Sequence, residues 1–207
     1  MLFRSHRLNN EYAAKMELIL KNDQISDVTG SMYSAYYAAY ADVNNQTRLL
    51  KSYDLLETVI GKLDFNVSYF IEGRLKTTEV YGDTPFKVEV INISSWLYNQ
   101  SFNLKILSEK EYQLSYLKEN ELVTNIHQFG EKALGGDYFF NVTINDFLTK
   151  KQLETLKLID YQFKVHSTAF LIGKYQKAIA IKNLEYSSIL EVTCSEMVPT
   201  KIGRAHV

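Results

Sequence analysis

Apolar and polar residues alternate with a period of two along the middle of the chain. Five runs show this alternation, at residues 86–90, 102–106, 112–116, 139–144 and 161–165. The pattern is typical of antiparallel strands that bury one face and expose the other. Turn signals separate the runs at Gly82-Asp83, Asn99-Gln100 and Gly135-Gly136. This part of the chain is therefore predicted to be rich in consecutive strands.

Residues 43–64 have a different period, because apolar side chains recur there at every third or fourth position. The stripe consists of Leu49, Leu50, Tyr53, Leu56, Val59, Ile60 and Leu63. This spacing predicts an amphipathic helix. Ser52 is placed to cap a second helix within the stretch, with Asp54 in its first turn. We expect residues 43–63 to be helical and to pack the stripe, including a buried Leu56, on a sheet.

The two ends of the chain are predicted to contribute strands to that sheet. Residues 11–21 follow a strand pattern, and two more strands are predicted near 178–183 and 188–194. The first and last segments should therefore meet in one sheet. Pro199 suits the first turn of a helix that would follow the last strand.

The remaining segments complete a prediction of about eight strands and three helices. Residues 24–42 are interpreted as a loop that leads into a helix start, and residues 145–158 as either a short helix or a loop. Residues 167–177 are predicted to form a short helix capped by Ser167 or Thr168. The fold class that follows is α+β, with a mixed sheet, packed helices and a β-rich antiparallel insertion.

Composition narrows the possible partners. The 207 residues are 46% hydrophobic and 23% charged, as in an ordinary globular protein. The chain has 23 basic and 24 acidic residues, so it lacks the excess of positive charge that binds nucleic acid or anionic lipid. No apolar run reaches the roughly 18–20 residues of a membrane helix, and the first ten residues lack the apolar core of a signal peptide. These features alone would indicate a soluble cytosolic protein.

The sequence predicts no catalytic, cofactor-binding or metal-binding residue, and no cofactor. The single cysteine, Cys194, excludes an intrachain disulfide and is interpreted as a small buried residue. Glu109 and Glu111 are interpreted as a solvated strand face rather than an acid–base pair. The histidines, which show no metal-ligand spacing, are His6, His127, His166 and His206.

The many aromatic residues and the Asn-X-Ser/Thr sequons each have both a functional and a structural interpretation. Fifteen tyrosines and eleven phenylalanines could stack on sugars, but they follow strand and helix periods and are better explained as core residues. Asn-X-Ser/Thr sequons are interpreted as chance matches rather than glycosylation sites; they occur at Asn45, Asn66, Asn92, Asn99 and Asn141.

The order of features between residues 43 and 93 is more specific than any single motif. A helix with the sequence LLKSYDLLETVI precedes the strand NVSYFIEGR, and the turn YGDTPF opens the next strand. This order resembles the chain-length determinant (polysaccharide co-polymerase) family, in particular members linked to a tyrosine autokinase and typical of Bacteroidetes. The matching positions are Leu49, Leu50, Lys51, Ser52, Leu55, Leu56, Val59, Ile60, Leu63, Val67, Ser68, Tyr69, Glu72, Gly73, Arg74, Tyr81, Pro85 and Phe86.

The resemblance extends from Tyr12 to Lys201. Residues 12–23 are similar to the strand that follows the family's first membrane span. Residues 175–199 are similar to the strand pair before its next helix. The resemblance implies a non-catalytic periplasmic segment of an inner-membrane protein that regulates the chain length or export of capsular or exopolysaccharide. It also implies self-association into a ring and contact with the polymerase and export machinery, with polysaccharide as a further candidate partner.

The resemblance also suggests how the chain is organised. The membrane would be reached only through spans outside these 207 residues, and a cytoplasmic kinase domain of the parent protein would likewise lie outside them. Residues 202–207 resemble the translation of a sequencing adapter. The expected parts are a remnant beside a missing span at 1–11, a first part of the domain at 12–85, a β-rich inserted region at 86–166, a closing part at 167–201 and an artefactual end at 202–207.

A secreted carbohydrate-binding or adhesin-like β-domain is the alternative. A cleavable signal peptide encoded upstream would favour it, whereas an uncleaved membrane span would favour the co-polymerase. We further expect that, without the chain that follows Pro199, the strands near 178–194 present an uncovered apolar face, so that the isolated segment is marginally stable and prone to aggregate.

Overall fold

The computed structural model describes residues 11–20, 43–73, 76–144, 150–184 and 189–204. The chain divides into two compact units. The first unit comprises Met1–Leu63 with Thr168–Val207, and the second comprises Asp64–Ser167. The interpretation of residues 24–42 as a loop and helix start lies outside the described residues.

Twelve strands and five α-helices are present in the described part of the chain. The strands are β1 (Tyr12–Ile19), β2 (Val67–Glu72), β3 (Thr77–Val80), β4 (Phe86–Ile93), β5 (Ser101–Ile106), β6 (Glu111–Lys118), β7 (Glu121–Gln128), β8 (Lys132–Gly135), β9 (Tyr138–Ile144), β10 (Asp160–Val165), β11 (Ile179–Asn183) and β12 (Ile189–Glu196). The helices are α1 (43–50), α2 (Tyr53–Ile60), α3 (Lys150–Leu156), α4 (Thr168–Ala178) and α5 (Pro199–Arg204). A short 3-10 helix spans Ser95–Leu97.

The first unit contains a three-stranded antiparallel sheet in the order β1-β12-β11. Tyr12 lies opposite Glu196 and Ile19 opposite Ile189, so the first and last of the described strands pair along their whole length. Helix α4 contacts β11 and β12, and α5 contacts β1 and β12. The predictions that the first and last segments meet, and that a helix begins at Pro199, are confirmed.

The helical stretch of residues 43–64 is divided by the cap at Ser52. The backbone N–H of Leu55 donates a hydrogen bond of 3.3 Å to Ser52 Oγ, which begins α2 as predicted. Helix α2 packs against α4, and it buries Leu56 and Ile60, which lie one turn apart. The expectation that the whole stripe is buried on a sheet is wrong, because a two-turn helix buries a single side. Several members of the stripe are exposed, namely Leu49, Tyr53 and Val59.

The second unit is built from two antiparallel sheets. One has six strands in the order β3-β2-β10-β5-β6-β7, and the other has three in the order β4-β9-β8. Their apolar side chains form one hydrophobic core. At its centre Phe102 stacks on Phe163, with ring centroids 5.0 Å apart, and meets Phe140 of the smaller sheet edge-on at 5.3 Å. The alternation predicted for β4, β5, β6, β9 and β10 is confirmed by their burial patterns.

The expected α+β class with a mixed sheet is wrong. About half of the residues that the structure describes lie in strands and about a quarter in helices, and all three sheets are antiparallel. The helices are short: α4, with 11 residues, is the longest whose two ends are both described. The helices are too short to form a layer that covers a sheet. In addition, the sequence pattern does not predict strands β3, β7 and β8 as separate elements. The protein is therefore mostly β.

The uncovered face expected near residues 178–194 is largely covered. Leu190 is fully buried, and Val192 and Cys194 are half-buried. The exposed large apolar side chains of this sheet lie instead on the edge strand β1, at Tyr12, Met16 and Ile19. Separately, no helix in the described ranges has the length and apolar character needed to cross a membrane.

Candidate functional site

The central strands of the six-stranded sheet turn a polar face away from the core. Phe102, Leu104 and Ile106 of β5 point into the core, so Asn103 and Lys105 between them point outward. Strand pairing aligns polar residues from neighbouring strands with these two. The aligned pairs are Asn103 with Ser115, Lys105 with Gln113, Asn103 with Gln162, and Glu72 with Asp160. A continuous polar surface therefore crosses four adjacent strands.

A shallow depression lies in this surface and has a volume of about 230 Å³. Its polar lining comes from β2, β5, β6 and β10 or their ends, and consists of Glu72, Asn103, Lys105, Gln113, Ser115 and Asp160. Ser115 forms part of the floor, because it is 8% exposed, whereas Asn103 and Lys105 are exposed. The depression is built on paired strands, so the backbone positions from which its side chains project are fixed.

The lining combines amide, carboxylate, hydroxyl and ammonium groups. Gln162, beside the depression, donates a hydrogen bond of 3.0 Å from Nε2 to Glu72 Oε2, which orients this carboxylate. Amides and hydroxyls both donate and accept, carboxylates accept and Lys105 donates. Such a set suits a small polyhydroxylated ligand, whose hydroxyl groups also do both. It offers no nucleophile activated by a neighbouring base.

Most of the aromatic residues that the structure describes in the second unit lie in its core, and Tyr161 also lines the depression. Tyr112, Tyr116, Tyr138 and Tyr161 are buried, which confirms their interpretation as core residues. Trp96 is half-exposed, but the ammonium group of Lys118 lies 5.8 Å from the centre of its ring. Lys118 in turn forms an ion pair of 2.7 Å with Asp137.

His127 belongs to a polar cluster on the inner side of β7. Its Nε2 lies 2.9 Å from the hydroxyl of Tyr138, and Asn125 Nδ2 donates a hydrogen bond of 3.3 Å to the same hydroxyl. Burial lowers the pKa of the His127 imidazole, so the ring is neutral at physiological pH. Tyr112 stacks obliquely on His127, and its buried hydroxyl has no hydrogen-bond partner among the described residues.

The other histidines and the cysteine occupy separate places. His166 lies beside Asn99, with Nδ1 2.5 Å from Oδ1, in a turn where Asn99 has a φ of 63°. His6 and His206 lie outside the described residues. Burial, together with the charge of Glu196, raises the pKa of the Cys194 thiol, which keeps it protonated. In the ranges that the structure describes, no group of three or more histidine, cysteine, aspartate or glutamate residues could hold a metal ion.

Glu109 lines a second hollow, of about 410 Å³, between the β5–β6 turn and helix α3. Ser108 organises that turn, because its Oγ accepts hydrogen bonds from the N–H groups of Lys110 and Glu111 at 3.1 and 3.0 Å. Glu111 begins β6 and is exposed. Glu109 and Glu111 therefore lie around a solvated turn.

A buried ionic network lies in the first unit, around Glu196. Its Oε2 accepts hydrogen bonds from Lys174 Nζ at 2.8 Å and from the Tyr175 hydroxyl at 3.2 Å, and Oε1 accepts one from the Met197 N–H at 3.0 Å. Burial alone would raise the pKa of this carboxyl, but the bonds to Lys174 and Met197 and the charge of Lys201 lower it overall. The network connects α4 to the end of β12, which is a structural role.

Comparison with models of known protein families gives no match for this chain, and comparison with curated protein sequences gives no match either.

Proposed function

We propose that this chain is a non-catalytic periplasmic segment of an inner-membrane polysaccharide co-polymerase, which regulates the chain length or export of capsular or exopolysaccharide. The proposal is supported by the order of sequence features between residues 43 and 93 and by the pairing of β1 with β12. The pairing is the observation that carries it. Because Tyr12 lies opposite Glu196, the polypeptide enters and leaves this sheet at the same end. This arrangement lets one membrane hold the segment at both ends.

The test is genetic. The gene is disrupted in a bacterium that carries it, and the length distribution of the surface polysaccharide is measured by gel electrophoresis. Polymer should still be made, but with a shifted length distribution or reduced export, and a wild-type copy should restore it. A copy with Leu158→Ala, which alters a side chain that is 84% exposed, serves as a matched control. Unchanged length and unchanged export in the disrupted strain would contradict the proposal.

A secreted carbohydrate-binding β-domain is the second candidate, and the polar depression is the observation that favours it. Its amide and carboxylate groups could bind sugar hydroxyls without any membrane anchor. Upstream sequence distinguishes the two candidates: a cleavable signal peptide supports secretion, and an uncleaved span supports the co-polymerase. Titration calorimetry of the purified chain with the bacterium's own extracted polysaccharide tests binding directly. Asn103→Leu with Gln113→Leu should abolish the heat of binding if the depression is the site.

A further inference from the structure

Five of the six sheet edges in the described part of the chain carry features that discourage pairing with another strand. Edge strands are commonly protected by charged residues, short length or bulges. Strands β3 and β8 have four residues each, and β11 has five and carries Lys182. Strand β1 carries Lys15 and Glu17. Strand β4 carries Lys87 and Glu89, and its pairing register shifts between Val90 and Asn92.

Strand β7 is the exception, and it forms one edge of the six-stranded sheet. It has eight residues, ELVTNIHQ, with neither proline nor lysine, and its single charged residue is Glu121 at the start. Its outward side chains include Leu122 and Ile126, each 63% exposed. Leu117 of β6, opposite Leu122, is also exposed. A long edge with a single charge at one end and exposed apolar side chains is a template for adding a further strand.

The sequence of β7 is complementary to itself. When two copies of β7 pair antiparallel about a two-fold axis through Thr124, the outward face of one sheet continues into the outward face of the other. Leu122 then lies opposite Ile126 of the second copy, twice. Glu121 lies opposite His127, also twice. On the outward face the apolar residues therefore meet each other, and on the inner face Glu121 meets the His127 imidazole, while Val123 lies opposite Asn125.

If the two-fold axis is moved by one residue along β7, Leu122 and Ile126 no longer lie opposite each other. With the axis at Val123, Leu122 would lie opposite Thr124 and Glu121 opposite Asn125. With the axis at Asn125, Leu122 would lie opposite Gln128. Of these three positions, the axis at Thr124 is the one that places the exposed apolar side chains Leu122 and Ile126 opposite each other and Glu121 opposite His127. Two-fold symmetric pairs are the commonest form of self-association.

We propose that β7 is a self-association edge, at which two copies of this chain join their six-stranded sheets into one continuous sheet by antiparallel pairing centred on Thr124. The partner is a second copy of the same chain. The proposal does not depend on the polysaccharide function, and a two-fold contact of this kind links two chains rather than closing a ring.

Cysteine cross-linking tests the position of the axis in the full 207-residue chain. The native thiol is removed by Cys194→Ser, and Thr124→Cys is introduced on the exposed outward face. Opposite residues have Cβ atoms about 4.5–5.5 Å apart, close to the separation that a disulfide bridges. The Thr124→Cys chain should therefore form a covalent dimer under mild oxidation.

Leu122→Cys in the same background is the matched control. Its symmetry mate would lie four residues away along the strand, about 13 Å, which a disulfide cannot span. The Thr124→Cys chain should cross-link at least about tenfold faster than the Leu122→Cys chain. Equal rates, or faster cross-linking at Leu122→Cys, would overturn the proposed pairing.

Sedimentation equilibrium tests the contact itself. Leu122→Lys with Ile126→Lys places four like charges in the joined edge, so the dissociation constant of the dimer should rise by at least about tenfold. Leu134→Lys with Leu158→Lys changes two other exposed apolar residues of the same unit and should leave it unchanged. Circular dichroism checks that all variants remain folded. A wild-type chain that stays monomeric, or a dimer that persists in the β7 variant, would overturn the proposal.

Discussion

The backbone N–H of Val88 donates a hydrogen bond of 2.8 Å to the hydroxyl oxygen of Tyr69. Val88 belongs to the three-stranded sheet and Tyr69 to the six-stranded sheet, so this bond joins the two sheets of the second unit. The Tyr69 ring also meets Phe86 edge-on, with centroids 5.7 Å apart. Burial raises the pKa of Tyr69 to about 12, so the hydroxyl keeps its proton at neutral pH.

Tyr69→Phe should lower the free energy of unfolding of the second unit by about 1–3 kcal/mol, because it leaves a part-buried N–H without its acceptor. The measurement is guanidinium unfolding followed by the fluorescence of Trp96, the single tryptophan, which lies in the same unit. A fall in the midpoint at unchanged slope is expected. An unchanged midpoint would mean that water replaces the phenol at no cost.

Tyr112→Phe should not lower the free energy of unfolding, in contrast to Tyr69→Phe. The Tyr112 side chain is fully buried, and its hydroxyl has no hydrogen-bond partner among the described residues. Removing an unsatisfied polar group from a core is neutral or stabilising, here by up to about 1 kcal/mol. The same fluorescence experiment serves as the measurement. A loss of stability as large as that of Tyr69→Phe would show that the Tyr112 hydroxyl has a partner.

The two adjacent glycines of the β8–β9 turn should differ in their tolerance of a side chain. A Cβ at Gly135 would overlap the ring of Tyr138, whereas a Cβ at Gly136 would meet nothing. Tyr138 in turn contacts His127 and Asn125. Gly135→Ala should therefore cost about 1–3 kcal/mol, as overpacking does, while Gly136→Ala should be close to neutral. Equal midpoints for the two variants in guanidinium unfolding would refute this.

Sequence predicted the strands in which burial follows the alternation of residue types. In β5 and β10 every second side chain is apolar and buried, because these strands are central in their sheet and lie over the core. Ser52 was also identified as a helix cap, because its chemistry is local: its hydroxyl bonds an N–H three residues later. Features that depend only on residues close together in the sequence could therefore be predicted.

Strand β7 was missed because its pattern is mixed: Val123 packs against the core, but the other apolar residues do not. Its apolar residues Leu122 and Ile126 point outward, and its polar residues Asn125 and His127 lie on the inner side with Tyr138. The inward polar groups are satisfied by a tyrosine hydroxyl from another sheet, which no local pattern can show. The depression on the polar face was missed for a similar reason, because it depends on the order in which four strands pair.

The helical stripe shows the same limit. Leu56 and Leu49 are both leucines of the predicted stripe, but Leu56 is 5% exposed and Leu49 is 58% exposed. Leu56→Ala should cost about 2–5 kcal/mol, because it removes buried methyl groups and leaves a cavity. Leu49→Ala should cost less than about 0.5 kcal/mol. The measurement is urea unfolding followed by circular dichroism at 222 nm. Similar losses for both variants would indicate that α2 does not pack as described.

The carboxylate of Glu196 should make the first unit sensitive to acid. Its hydrogen bonds to Lys174 and to the Met197 N–H lower its pKa in the folded state despite burial. The unfolded chain therefore takes up this proton first as the pH falls. The stabilisation due to the charged carboxylate is complete above the ordinary glutamate pKa, about 4.3. It is lost as the pH falls through the lower folded value.

Glu196→Gln should remove this dependence. At pH 7 the substitution should cost about 1–3 kcal/mol, because the amide keeps hydrogen bonds but loses the charge that Lys174 faces. Towards pH 3 the difference from wild type should shrink, because the wild-type carboxyl is then protonated too. Glu17→Gln on β1, where the side chain is 53% exposed, is the control and should change little at any pH. Urea unfolding followed at 222 nm between pH 7 and pH 3 measures the difference. If the deficit of Glu196→Gln were constant over that range, the charge of this carboxylate would contribute nothing, and the network would stabilise the first unit through packing and neutral hydrogen bonds alone.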